Sequence, residues 1–115
     1  MAIKKKNNII DEKLKDNSYY ITKVILKKIR SLNPDKKYFI FNCTYTDNGW
    51  QKLADETNFI PIIENSIDLK KANKNNLKIY YRDKGHYNEL GHQIMGYSIA
   101  RNKQLLDELK TKINK

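Results

Sequence analysis

Apolar positions are spaced unevenly along the chain. The first 16 residues are polar and lysine-rich and read as a tail or a frayed helical turn. From Asn17 onward Ile21, Val24, Ile25, Leu26, Ile29 and Leu32 recur at helical spacing. Asn17 or Ser18 offers a cap, and Asn33-Pro34 stops the run, so an amphipathic helix is predicted. Tyr38-Phe39-Ile40-Phe41-Asn42-Cys43 is short, aromatic and β-branched. Such a run fits a strand buried on both faces of a parallel sheet. Asp47-Asn48-Gly49 breaks the chain, and Trp50, Leu53, Ala54 and Thr57 predict a helix of about two turns.

Phe59-Ile60-Pro61-Ile62-Ile63 is a second strand-like run. Pro61 lacks a ladder donor, which places this strand at an edge or starts it after the proline. Residues 64–76 are polar, with a short helix expected near Ser66 to Ala72. Leu77-Lys78-Ile79-Tyr80-Tyr81 is a third extended segment, and residues 82–88 form a loop. Asn88 is a good N-cap, with Glu89 in the first turn complementing the helix dipole. Leu90, Ile94, Tyr97 and Ser98 mark one face of a last helix, which Leu105, Leu106 and Leu109 carry towards the C-terminus. Alternation of this kind predicts an α/β fold with a small parallel sheet of two or three strands flanked by helices. The domain is expected over residues 17–115, after the tail at 1–16.

Composition narrows the function classes. The chain has 115 residues, 39% of them apolar, which caps it at one domain and still permits a core. No apolar run approaches the roughly 20 residues of a membrane span. Met1 to Lys6 leads into polar Asn7-Asn8 rather than an apolar leader, which makes the cytoplasm the default compartment. The net charge is +10, yet of 23 basic residues only Arg30, Arg82 and Arg101 are arginines. Phosphate and base recognition favour the arginine fork, so scattered lysines read as a solvated surface and disfavour nucleic acid as partner. Cys43 is the single cysteine; it excludes an intrachain disulfide and is expected to be a packed, inert thiol. Tyr80, Tyr81 and Tyr87 suit base stacking in principle, and packing around a core is the preferred reading.

Both histidines fall in one block, Asp83-Lys84-Gly85-His86-Tyr87-Asn88-Glu89-Leu90-Gly91-His92. A carboxylate three residues before an imidazole fixes the tautomer of the ring and frees its other nitrogen as a base. Gly85 permits the tight turn between them. A metal site from Asp83, His86 and His92 lacks a fourth ligand, so no metal is expected.

This block resembles the last conserved block of the SGNH (GDSL-type) hydrolases, and the order of elements over residues 17–110 resembles the second half of that flavodoxin-like fold. The resemblance implies that Asp83 orients the imidazole and that His86 is the general base of a Ser-His-Asp triad. It implies that Asn88 caps the closing helix and that His92 is structural. The family's Gly-Asp-Ser and Gly-x-Asn-Asp blocks are absent: the glycines here are Gly49, Gly85, Gly91 and Gly96, and none opens such a block. The expectation is therefore the C-terminal portion of an ester hydrolase or acyltransferase, needing no cofactor and inactive alone. An ester or O-acyl substrate would engage it once the missing half is supplied, with self-association or a partner chain covering the truncated sheet. The competing expectations are a non-catalytic binding or assembly module and a small basic nucleic-acid-binding protein.

Overall fold

The computed structural model describes residues 2–46, 49–82 and 85–113, with side chains from residue 13 onward. Helix α1 (Ala2–Leu32) leads to β1 (Phe39–Phe41), α2 (Trp50–Thr57), β2 (Ile60–Ile62) and α3 (Glu64–Lys74), then to α4 (Glu89–Ala100) and α5 (Lys103–Ile113). Among the described residues the fold is α/β, with five helices flanking a two-stranded parallel sheet.

The register pairs Phe39 with Ile60, Ile40 with Pro61 and Phe41 with Ile62. The Ile60 amide donates to the Tyr38 carbonyl at 2.8 Å. Backbone groups alternate sides along a parallel strand, so Tyr38 and Ile40 turn towards β2 while Phe39 and Phe41 turn outward. By the same alternation Pro61 turns to the outer edge of β2, where its missing N–H costs no ladder bond. The edge position expected from Pro61 is the one observed.

Several segments depart from the sequence expectation. The lysine-rich start is continuous with α1, so Asn17 and Ser18 lie inside a helix rather than at its cap. Strand β1 is not buried on both faces: Phe39 and Ile40 are half-buried and Phe41 is 42% exposed. It has a neighbour on one side only, and nothing among the described residues covers its apolar side chains fully. Leu77–Tyr81 joins no sheet and forms a single antiparallel bridge, Tyr80 to Tyr87. The last helix is two helices, because Asn102 accepts the Leu105 amide on its side chain at 2.9 Å and starts α5 afresh.

The core centres on Leu69, Ala72 and Ile79, with Tyr45, Tyr80, Tyr87, Ile94 and Met95 packed against it. Leu53, Ala54, Phe59 and Ile62 are buried beside α2 and β2. Helix α1 docks on α2 through polar groups. Lys23 Nζ pairs with Glu56 at 2.7 Å, the Tyr19 hydroxyl donates to the same carboxylate, and Arg30 donates to the Asn58 carbonyl at 3.3 Å. These contacts turn the Tyr19, Lys23, Leu26 and Arg30 side of α1 inward. Of the six apolar residues expected to define the buried face, only Leu26 is even half-buried; the other five are exposed. The result is elongated, 62 × 39 × 17 Å with a radius of gyration of 17.4 Å. A compact chain of this length has about 13 Å.

Candidate functional site

In open α/β sheets ligands bind beyond the carboxyl ends of the strands. Here three segments meet at that end: the bend after β1, the start of α3 after β2, and the segment that leads into α4. The other two are tied to the bend by three side chains, two from α3 and one from the segment before α4, donating to three consecutive carbonyls. Asn65 Nδ2 donates to the Asn42 carbonyl at 2.6 Å, the Tyr87 hydroxyl to Cys43 at 2.6 Å, and the Ser66 hydroxyl to Thr44 at 2.9 Å. The bend itself is closed by Asn42, whose Nδ2 donates to the Thr46 carbonyl at 2.9 Å while its Oδ1 accepts the Thr44 amide at 3.2 Å.

The histidine segment is fixed from both flanks. The Tyr81 amide donates to the His86 carbonyl at 3.0 Å, and the Asn88 amide to Ile79 at 2.9 Å. Tyr80 and Tyr87 stack with centroids 4.9 Å apart. Asn88 caps α4 by accepting the Gly91 amide at 2.9 Å on its side chain, whose Nδ2 donates to Lys78 at 2.7 Å. This is the cap expected from the sequence. Gly91 is required by contact: a Cβ there would lie 2.5 Å from the Ile79 carbonyl oxygen and 2.9 Å from Tyr87 Cβ. The His92 and Tyr87 rings meet at 80° with centroids 6.3 Å apart, and His92 Nδ1 lies 3.0 Å from the Asn88 carbonyl. A carbonyl only accepts, so Nδ1 is the protonated nitrogen.

Burial is the leading cause that raises the hydroxyl pKa values of Tyr45, Tyr80 and Tyr87 above the ordinary phenol value. The three stay neutral donors at physiological pH, and all pack on the core. Tyr81 is exposed. A cleft of about 430 Å³ lined by Leu77, Ile79, Tyr81 and Arg82 opens along the segment that runs into Asp83.

Of the sequence-derived site residues, His86 sits on this segment with an exposed side chain. Asp83 lies outside the described residues. Among the described serines Ser31, Ser66 and Ser98 donate to backbone carbonyls, and Ser98 also reaches Asp68 Oδ2 at 2.7 Å. Cys43 is exposed rather than packed, because β1 ends at Phe41 and the thiol sits in the bend beyond it. Sequence reading missed Asn65. It is fully buried, and its Oδ1 has no partner among the described residues. The only sequence signal was an asparagine just past a strand.

Among the described residues no group of three His, Cys, Asp or Glu side chains is placed to hold a metal ion. No helix among them is long and apolar enough to cross a membrane. No protein-family model, curated protein or solved structure matches this chain.

Proposed function

We propose that this chain carries the base-bearing portion of an ester hydrolase of the SGNH type. In this reading the sheet belongs to a flavodoxin-like layer, His86 is the general base and Asp83 orients it. The nucleophile and oxyanion donors come from elsewhere, so the chain alone is inactive. The observation that supports the reading is the Tyr87–Cys43 hydrogen bond. It holds the segment bearing His86 against the carboxyl end of β1, where α/β folds do their chemistry. An imidazole there can take a proton from a serine hydroxyl and return it to the leaving alcohol. Asn88, by capping α4 and gripping Lys78, fixes where that segment enters the helix.

The test is complementation. The chain is co-expressed with the N-terminal half of an SGNH esterase, carried through its Gly-x-Asn-Asp block, and p-nitrophenyl acetate turnover is measured. Turnover should appear only with both pieces. It should be lost in His86→Ala and fall about 10²-fold or more in Asp83→Asn, because removing either partner of an acting dyad costs that order. Complemented turnover indifferent to His86→Ala would sink the proposal. So would turnover by the isolated chain that His86→Ala abolishes, because the chain would then hold its own nucleophile.

A further inference from the structure

Helix α1 is built the wrong way round for a self-contained domain. Its inward side carries Tyr19, Lys23 and Arg30, anchored on α2. Its outward side carries Leu14, Ile21, Val24, Ile25, Ile29 and Leu32. Ile21 is 57% exposed, Ile25 51% and Leu32 73%. At about 100° per residue these six fall within one stripe of the helix, and the anchors fall on the opposite side. A stripe of this width belongs against another apolar surface.

Two quantities say what covers it. The first is area. The chain exposes 9427 Å². A folded monomer of 13.7 kDa exposes about 6,600 Å². The excess of about 2,800 Å² exceeds the roughly 800 Å² that each partner buries in a standard interface. The second is charge. Between residues 13 and 32 stand Lys13, Lys15, Lys23, Lys27, Lys28 and Arg30 against the single acid Asp16. Lys23 is neutralised by Glu56. Lys28 lies within the stripe and Lys13 flanks it, whereas Lys27 lines the cleft beside Glu56 and Asn58 on the inward side. Two copies packed antiparallel through this face would oppose lysine with lysine, at a net charge of +10 each.

We infer that the exposed face of α1 is a docking surface for an acidic amphipathic helix of a different protein. The partner lays leucine-type side chains on the stripe and sets glutamates opposite Lys13 and Lys28. Apolar burial supplies the affinity and charge selects the partner. This inference stands independently of the hydrolase reading.

The probe is a synthetic helix of about 28 residues with Leu at heptad positions a and d and Glu at e and g. Alone, its own like charges keep it poorly helical. Two controls accompany it: the same composition scrambled, and the counterpart with Lys replacing Glu. Calorimetry and circular dichroism are run with the full chain. The acidic helix should bind about tenfold or more tighter than its scrambled form, and gain helicity on binding. The variant Ile21→Gln with Ile25→Gln keeps good helix formers at exposed positions, and it should bring both acidic peptides to one affinity. Equal binding of the scrambled peptide to the unchanged chain overturns the inference, leaving only attraction between polyelectrolytes. Absence of binding, or equal binding of the lysine peptide, also overturns it. So does sedimentation of the chain alone as a dimer that the double variant dissociates, which would assign the face to a second copy.

Discussion

Asn65 is the residue on which the carboxyl end of the sheet turns. Its amide nitrogen is spent on the Asn42 carbonyl, and its Oδ1 is buried with no partner among the described residues. An unmade hydrogen bond at a buried acceptor costs about 1–3 kcal/mol, so the position is held by what the nitrogen does. Replacing Asn65 by Asp exchanges that donor for a second acceptor facing Asn42. Asn65→Asp is expected to destabilise the fold by about 1–3 kcal/mol at pH 7, and more than Asn65→Ala does. Below the carboxylate range the new acid is protonated and donates again, so the penalty should shrink. Urea melts of the three proteins at pH 7 and pH 3.5 decide this. An Asp variant no less stable than the Ala variant at pH 7 would show that the Asn42 contact carries no weight. Gly91 is the second position of this kind, set by the distance to Ile79 and Tyr87 rather than by backbone conformation.

Among the elements, α1 depends most on ionisation. Lys23 first, and then Tyr19, pulls the Glu56 carboxyl down to about 2, below the ordinary carboxylate value of about 4.5. The same hydrogen bond pushes the Tyr19 hydroxyl up to about 12. A carboxyl whose pKa is lowered on folding stabilises the fold fully above its unfolded value. That contribution is lost as pH falls from about 4.5 through about 2. Wild type should therefore melt higher than Glu56→Gln at pH 7, and the gap should close as the pH approaches 2. A gap that stays constant between pH 7 and pH 2 would mean that the ion pair does not seat α1. The same helix marks where sequence reading stops. Its existence and stop at Pro34 were legible, because apolar spacing and a proline act locally. Which side turns inward was not, because Glu56 and Asn58 lie far along the chain and outbid the isoleucines for the contact. The Asn88 cap was legible for the opposite reason, since donor and acceptor are three residues apart. The break at Asn102 is equally local, but Leu105, Leu106 and Leu109 continue the apolar rhythm across it and mask it.

For the whole molecule, α/β alternation gave the parallel pairing, and Pro61 gave its edge. The elongated shape did not follow from composition: 39% apolar content is enough for a core, but much of it is spent on α1 and β1 surfaces that no described residue closes. The position of the candidate site could be anticipated only as far as the block at 83–92. The bend at 42–46 that receives Tyr87 carries ordinary polar residues, and three carbonyls in a row leave no trace in side-chain identity. Pro61 also limits how the sheet can grow. On β1 the outward groups of Phe39 and Phe41 can accept a strand, whereas on β2 the outward nitrogen belongs to Pro61 and has nothing to give. A second copy pairing along β1 would use the open side of both molecules, leaving two strands from each and a proline at either end. Such an assembly is a closed object rather than the seed of a fibre. Pro61→Val should remove the stop: at high micromolar concentration the variant is expected to grow into large, thioflavin-positive particles while the parent stays small by light scattering. Parent and variant of equal size would show that something other than this one missing hydrogen keeps the chain from polymerising.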